Sequence, residues 1–398
     1  MNREDFNMLK KNIVYLDNGA TTLKPNCVKE AIDDYYDNYT ANAHRGDYKT
    51  SLVVDNKYEE TRSKIKNFIN AKEGSEIVFT SGSTQSLNHI IFGYFKNVLQ
   101  KDDEVLITVS EHASNILPWF ILTKEIGIKV KYIELDENYK VTIDNVKKAI
   151  TNKTKVISIA HITNVVGDIR PIEEISKIAH KNNILLVVDA AQSIAHTKVD
   201  VQKMDVDFLV FSGHKMYGPT GIGVLYGKYD LLEKMHPVNY GGGMNALFTK
   251  DGYIELREVP IRFEAGTPNI EGVIGLSSAI DYINNIGINN IEQYERELRK
   301  YLIDKLKELD FIEIYNSNTD SGAVAFNIKN VFAQDTAIYL DKYNICVRAG
   351  NHCAKILSDA LKVNNTCRIS LSFYNTKEEI DLLINVLKNS KNIYNEIL

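Results

Sequence analysis

Short β-branched runs alternate with helix-period segments through the first two-thirds of this chain. The runs Ile77-Phe79, Val105-Val109, Val130-Leu135, Val156-Ala160, Ile184-Val188, Asp207-Phe211 and Ile222-Tyr226 read as strands. Between them the apolar spacing predicts helices over 27–39, 55–70, 85–98, 144–150 and 171–181. Pro171 followed by Ile-Glu-Glu opens the last of these with proline at the first helical position and acids in the first turn. Strands that alternate with helices in this way predict an α/β fold, a mostly parallel sheet covered by helices on both faces.

A Gly/Pro-rich stretch from Tyr240-Gly-Gly-Gly243 to Gly266-Thr-Pro268 breaks the rhythm. Beyond it lies a long helical pattern over 289–310, with Leu298, Leu302 and Leu306 at four-residue spacing. The remainder mixes strands (Ala323-Ile328, Ile345-Arg348, Arg368-Ser372) with helices (334–342, 354–361, 376–390), which predicts a second, smaller α+β domain. No internal repeat and no low-complexity tail is evident.

Composition narrows the function classes. At 398 residues the chain is long enough for two domains, and 44% hydrophobic with 25% charged residues is ordinary for a soluble protein. A net charge of −5 gives no broad basic field, so nucleic acid is not the expected partner. The four cysteines, 27, 346, 353 and 367, are too scattered for a disulfide framework and form no C-x-x-C zinc pair, so no metal site is expected. That usage fits a reducing cytosol. The start Met1-Asn-Arg-Glu-Asp-Phe-Asn lacks a secretory h-region, and no apolar run approaches a membrane span. The expectation is a soluble cytoplasmic protein, with no membrane partner.

Within this frame, Lys215 is oddly placed for a surface charge. It lies in Phe211-Ser-Gly-His-Lys-Met-Tyr-Gly-Pro-Thr-Gly-Ile-Gly223, directly after a strand-like run. Asp189, which ends the apolar run Ile184-Val188, precedes it. A lysine whose amine loses its proton readily, and a carboxylate for a pyridinium nitrogen, are the two groups a pyridoxal phosphate (PLP) site needs. Alone, a strand-ending Asp is a cap or turn residue; with Lys215 it gains a chemical role, and Gln192 is placed to reach the ring's phenolic oxygen. Thr80-Ser-Gly-Ser-Thr-Gln-Ser86, with Ser83 and Thr84, follows a strand and opens a helix. It serves equally as a Ser/Thr N-cap or as a phosphate cradle. No G-x-G-x-x-G or Walker A motif competes for a nucleotide. His112 would lie at a strand's C-terminal end, where α/β sheets place ligands, with its ring free to stack on a planar cofactor.

Cys353 stands apart from the other cysteines because it follows Gly350-Asn-His352, with Arg348 five residues upstream. Nearby positive charge favours the reactive thiolate. Arg368 interrupts the otherwise apolar strand Thr366-Leu371, and its planar fork suits a substrate carboxylate.

These motifs resemble those of the PLP-dependent cysteine desulfurases of the SufS/CsdA class, within the class-V aminotransferase family. The resemblance is carried by Tyr15-Leu-Asp-Asn-Gly-Ala-Thr-Thr22, His44-Arg-Gly46, Thr80-Ser-Gly-Ser-Thr84, Glu111-His112 with Asn115-Ile-Leu-Pro-Trp119, and His161-Ile-Thr-Asn-Val-Val-Gly167. Val188-Asp-Ala-Ala-Gln192, Ser212-Gly-His-Lys215, Arg262-Phe-Glu-Ala-Gly-Thr-Pro-Asn269 and Arg348-Ala-Gly-Asn-His-Cys-Ala354 continue it nearly to the end of the chain. It implies PLP fold type I, with a seven-stranded, mainly parallel sheet in a large PLP-binding domain over 17–272. A small C-terminal domain over 273–398 follows, with residues 1–16 packed against it. It also implies a homodimer with active sites at the interface. Lys215 would hold the cofactor as a Schiff base, with Asp189 and Gln192 on the ring and His112 stacked over it. Ser83, Thr84, Ser212 and His214 would bind the phosphate together with Thr267 of the other subunit. Asn164 and Arg368 would hold the substrate carboxylate. Two positions depart from the family's pattern: Asn351 precedes His352, where a second histidine is frequent, and Tyr48 follows His44-Arg-Gly46, where a histidine is frequent.

The expected activity is conversion of L-cysteine to L-alanine, with Lys215 as base and the sulfur left as a persulfide on Cys353. The persulfide would supply iron-sulfur cluster assembly through a protein acceptor of a SUF-type system, or other acceptors. A selenocysteine lyase, or another PLP enzyme on the same scaffold, is the alternative. An aminotransferase or epimerase needs no thiol nucleophile, and a non-catalytic scaffold protein would not need Lys215, Asp189 and Cys353 together.

Overall fold

A computed structural model describes residues 3–44, 46–319, 322–390 and 393. In chain order the strands are β1 Val14–Tyr15, β2 Ile77–Thr80, β3 Glu104–Thr108, β4 Lys129–Ile133, β5 Thr154–Ala160, β6 Leu185–Asp189, β7 Phe208–Ser212 and β8 Gly223–Gly227. They continue as β9 Asn245–Phe248, β10 Ile254–Leu256, β11 Ile312–Ile314, β12 Val324–Ile328, β13 Ile345–Cys346, β14 Arg348–Gly350 and β15 Thr366–Ile369.

Seven of them form the main sheet in the order β2-β8-β7-β6-β5-β3-β4, parallel except where β8 pairs with β2 and β7. Side chains of opposite parity leave opposite faces of a strand. On β3, Val105 and Ile107 pack on one face with the buried Trp119, while Leu106 packs on the other with Ile157 and Val188. Both faces are therefore covered except at the edge strand β4, whose residues are mostly exposed, which is why the other six strands read as nearly unbroken apolar runs. The strand order reverses between β3 and β5, and the C-terminal ends of β3, β5, β6 and β7 share one edge of the sheet. Such an edge is where an open α/β sheet leaves a crevice for ligands.

A second core surrounds the antiparallel sheet β11-β12-β15-β14 and includes Leu298, Leu302, Leu306, Phe326, Leu383 and Leu387. The N-terminal segment ties the two cores together. β1 runs parallel to β13, Asp17 bridges to Ser370, and Phe6 packs against Tyr282, Phe373 and Tyr374.

Several elements, among them the helix Leu117–Ile126 and the strands β1, β9, β10 and β11, are additional to the expected pattern, and two further departures bear on how the cores are built. The helix Ile270–Ile286 is absent from the periodicity, and its side chains from Ile270 to Ile283 join the larger core, so a division after residue 272 falls inside it. Nine of its residues are buried, including Gly272 and Gly275. A helix apolar on most sides shows no polar stripe, and internal glycines lower its propensity. The expected strand Ile345-Arg348 is two strands, because β13 pairs with β1 whereas β14 pairs with β15.

Candidate active site

The turn that carries Lys215 follows β7 and is braced from two sides. The His214 carbonyl accepts from Thr22 N (3.0 Å), Thr21 Oγ1 (2.9 Å) and Lys24 Nζ (3.0 Å). Behind it the helix Ile270–Ile286 packs so closely that a Cβ on Gly275 would stand 2.5 Å from Pro219 Cγ. Burial pushes the Lys215 amine down to about 8, with Asp189 opposing the shift and Arg368 and Arg348 adding to it. A lysine in that range loses its proton near neutrality, as a Schiff-base or general-base lysine must.

Asp189, at the end of β6, is buried, and its Oδ1 accepts from Ala191 N at 2.9 Å. Desolvation raises its pKa, against the Ala191 N–H and the Lys215 charge. A buried carboxylate needs a cation or further donors to remain ionised. Gln192 faces the same cleft and donates from Nε2 to Gly19 O at 2.9 Å. His112 caps the short turn Ala113–Asn115, and its Nδ1 accepts from Ser114 N at 3.1 Å. In the neutral ring the proton therefore sits on Nε2. Burial, then Lys215, Arg368 and Arg348, push His112 down to about 4, so the ring is neutral at physiological pH.

The His112 turn rests on a buried polar network. Glu111 and Arg170 form an ion pair with both side chains fully buried. Glu111 Oε2 also accepts from Ala160 N (2.8 Å) and Asn115 Nδ2 (3.0 Å), while Arg170 Nη2 donates to Thr108 Oγ1 and Ser110 Oγ at 2.7 Å. Removing one member of such a network leaves an uncompensated buried charge.

Hydroxyls gather at another end of the cleft. Ser212 Oγ accepts from Ser83 N at 2.8 Å and lies 2.9 Å from Ser83 Oγ, and Thr84 Oγ1 is 2.7 Å from Ser114 Oγ. Ser83 starts a helix, so its first N–H groups supplement these donors. Burial, then Lys215 and Lys24, push His214 down to about 4.

The small core supplies the opposite wall. Arg368 is buried on β15, donating from Nη1 to Asn164 O (3.0 Å) and from Nη2 to Asp17 Oδ1 (2.9 Å). Its fork is thus partly engaged, and each terminal nitrogen retains a second N–H. Cys353 is exposed at the cleft in a turn closed by Ala354 N to Asn351 O at 2.8 Å. His352 (φ 52°) and Cys353 (φ 58°) are both left-handed, the pattern of a type I′ turn. Cys353 O accepts from Ala113 N at 2.8 Å, and His352 Nε2 lies 3.0 Å from both Thr366 O and Thr366 Oγ1.

Lys215, Asp189, Gln192, His112, Ser83, Thr84, Ser212, His214, Asn164, Arg368 and Cys353 all line this one cleft, whose volume is about 230 Å³. Thr267 does not; it is exposed and outside the cleft of its own chain. Asp17 and the Glu111–Arg170 pair were not singled out by sequence reasoning, since nothing local marks Asp17 as Arg368's partner or Arg170 as Glu111's.

The residues present fit a pyridoxal phosphate. A buried acid suits a pyridinium, a neutral imidazole suits a ring face, and a hydroxyl cluster at a helix start suits a phosphate. An amine of lowered pKa lines the same cleft.

The class-V aminotransferase family model matches residues 14–383. A probable cysteine desulfurase of Halalkalibacterium halodurans is 45% identical over 386 residues, covering 97% of this chain and 95% of that protein. Among solved structures, the apo cysteine desulfurase from Thermococcus onnurineus NA1 superposes with a TM-score of 0.93 at 40% identity, covering 97% of this chain and 96% of that one. The S-sulfonic acid form of the Escherichia coli cysteine desulfurase CsdA superposes with a TM-score of 0.92 at 36% identity, covering 100% and 98%.

Proposed function

The chain belongs to the class-V aminotransferase family, and from that premise we propose that it desulfurates L-cysteine through a persulfide on Cys353. The chain is a cysteine desulfurase and pyridoxal phosphate is its cofactor. The observation that carries the finer reading is the meeting of Cys353, Arg368 and Lys215 in one cleft, although Cys353 and Lys215 lie far apart in the chain.

The bound cofactor supplies an electron sink that loosens the proton on the substrate Cα. Asp189 would hold the pyridine nitrogen protonated, and His112 would cover the ring. Arg368 and Asn164 orient the substrate carboxylate. Lys215 Nζ, with its pKa of about 8, takes the Cα proton. Cys353 then attacks the substrate sulfur as a thiolate. A sulfur–sulfur bond forms as the carbon–sulfur bond breaks, the electron pair passes to Cβ, which gains a proton, and the proton held on Lys215 Nζ returns to Cα before alanine leaves. The transferred sulfur is oxidised as Cβ is reduced, so no external oxidant enters this half-reaction. A thiol or a protein acceptor releases the sulfur afterwards.

We also propose a homodimer. Thr267 lies away from the cleft of its own chain, and the hairpin β9–β10 exposes Leu247, Phe248, Tyr253 and Ile254, an apolar face for a second copy. No described helix is long and apolar enough to cross a membrane. The free cysteines accord with a cytoplasmic setting, and the exposed Cys353 with delivery to a SUF-type acceptor for iron-sulfur assembly.

The test is to supply L-cysteine and reductant to the holoenzyme and quantify both products. Equal yields of alanine and sulfide are expected. Sulfide accompanied by pyruvate in place of alanine would overturn the reading.

A further inference from the structure

Asp17 lies between two arginines. Its Oδ1 accepts from Arg368 Nη2 at 2.9 Å, and its Oδ2 is 3.7 Å from Arg348 Nη1. The arginines are direct cross-strand partners in the antiparallel pair β14–β15. Like charges so placed repel, and a carboxylate between them relieves the repulsion.

The backbone fixes that carboxylate. Asp17 bridges in parallel to Ser370, Asn18 N donates to Ser370 O at 3.4 Å, and Gly19 N donates to Ser370 Oγ at 2.6 Å. Gly19 lets the main chain lie against the guanidinium, since a Cβ there would stand 3.2 Å from Arg368 Cζ. The Arg368 side chain is 3% exposed, that of Asp17 21% and that of Arg348 46%, so the group is buried at one end and opens to the cleft at the other.

The charge count decides what such a clamp accepts. Two guanidiniums and one carboxylate sum to a single positive charge. One α-carboxylate balances that charge, whereas a dianion overfills it. Removing the Asp17 charge would leave two positive charges at the same place, a better match for a dianion.

We propose that Asp17 is a specificity-determining residue, which sets the clamp to one positive charge and so selects amino acids whose anion is a single α-carboxylate. It also positions Arg368, because Asp17 Oδ1 and Asn164 O hold the two ends of its fork. The inference rests on reading Arg368 as the carboxylate clamp.

The test compares wild-type holoenzyme with Asp17→Asn, Asp17→Glu and Arg368→Lys at constant ionic strength. Acetate, a monoanion, and sulfate, a dianion, are used as competitors of L-cysteine, and sulfate-induced thermal shifts give a second readout independent of turnover. In Asp17→Asn, sulfate should gain about tenfold over acetate as a competitor and raise the melting temperature more than in wild type. Asp17→Glu should keep the wild-type ratio, because it keeps the charge. If Asp17→Asn fails to fold, Asp17→Ser removes the same charge and carries the same expectation. An unchanged sulfate-to-acetate ratio in the folded neutral variant overturns the proposal, as does a Glu variant that behaves like Asn. Arg368→Lys tests the underlying reading separately: it should raise KM for L-cysteine, and an unchanged KM would remove the clamp itself whatever Asp17 does.

Discussion

Asn164 Nδ2 donates to the backbone carbonyl of His352 at 2.7 Å, tying the loop after β5 in the main sheet to the turn that presents Cys353. The turn needs such a tie. Two successive non-glycine residues in the left-handed region cost roughly 1–2 kcal/mol each, so Asn164, Ala113 N and the His352–Thr366 contacts act together to hold it.

Asn164→Ala removes this donor but keeps the backbone carbonyl that Arg368 uses. Loss of the bond and the unpartnered His352 carbonyl should cost about 1–3 kcal/mol at the turn. Cofactor loading should be unchanged, while persulfide formation at saturating L-cysteine, followed by rapid quench and mass spectrometry, should slow about tenfold or more. Equal slowing of cofactor loading would mean that Asn164 supports the cofactor pocket and not the thiol.

The lowered pKa of Lys215 makes cofactor capture pH-dependent. Only the unprotonated amine is nucleophilic, so the rate at which cofactor-free protein captures pyridoxal phosphate should rise with pH and level off above about 8. An ordinary lysine would keep accelerating toward 10.5, its unshifted value. Stopped-flow absorbance across this range distinguishes the two. Lys215→Ala should fold, yet after borohydride reduction its peptide should carry no cofactor mass. Cofactor found attached to another lysine in the wild type would reassign the site.

What was legible in the sequence follows from where the chain buries its side chains. Six of the seven main-sheet strands announced themselves because both faces are covered, whereas the mostly exposed edge strand β4 showed only through its β-branched residues; the residues at the strand ends, Glu111-His112, Asp189 and Lys215, then fell on one edge of the sheet. The helix Ile270–Ile286 stayed hidden because burial on most sides erases the polar stripe that periodicity detects. Asp17 was illegible for a different reason. Its partner Arg368 is 351 positions away, and only the bridge to Ser370 brings them together. The Arg170–Glu111 pair is likewise a product of β3 and the loop after β5 meeting in space.

His161 predicts an acid sensitivity that has nothing to do with the cleft. It is buried, its Nδ1 has no hydrogen-bond partner among the described residues, and burial followed by the Arg170 charge pushes it down to about 4 from 6.5. Between those values the unfolded chain binds a proton that the folded chain excludes, so this group makes stability fall as the pH drops from 6.5 toward 4. The buried Asp189, with its raised pKa, works in the opposite sense. His161→Phe should therefore shift the acid-unfolding midpoint to lower pH. Fluorescence of the single tryptophan, the buried Trp119, reports the transition. A midpoint that stays in place or moves upward would show that His161 is already charged in the fold.

Cys353→Ser separates sulfur transfer from the remainder of the chemistry. The variant keeps Lys215, Asp189 and Arg368, so it should load cofactor and bind L-cysteine. It should then fail to form alanine, because a serine hydroxyl has too little anion at neutral pH to attack sulfur. Among the four cysteines, Cys353 alone is exposed: Cys367 is buried with its thiol pushed up to about 12, and the Cys27 and Cys346 thiols are half-buried and also raised, chiefly by desolvation. Brief exposure of wild type to L-cysteine without reductant, followed by peptide mapping, should show one added sulfur on the Cys353 peptide and none in the variant. An adduct on Cys27, Cys346 or Cys367 would move the nucleophile elsewhere. Alanine formation that survives in Cys353→Ser would make the thiol dispensable, which is the behaviour expected of a selenocysteine lyase on this scaffold.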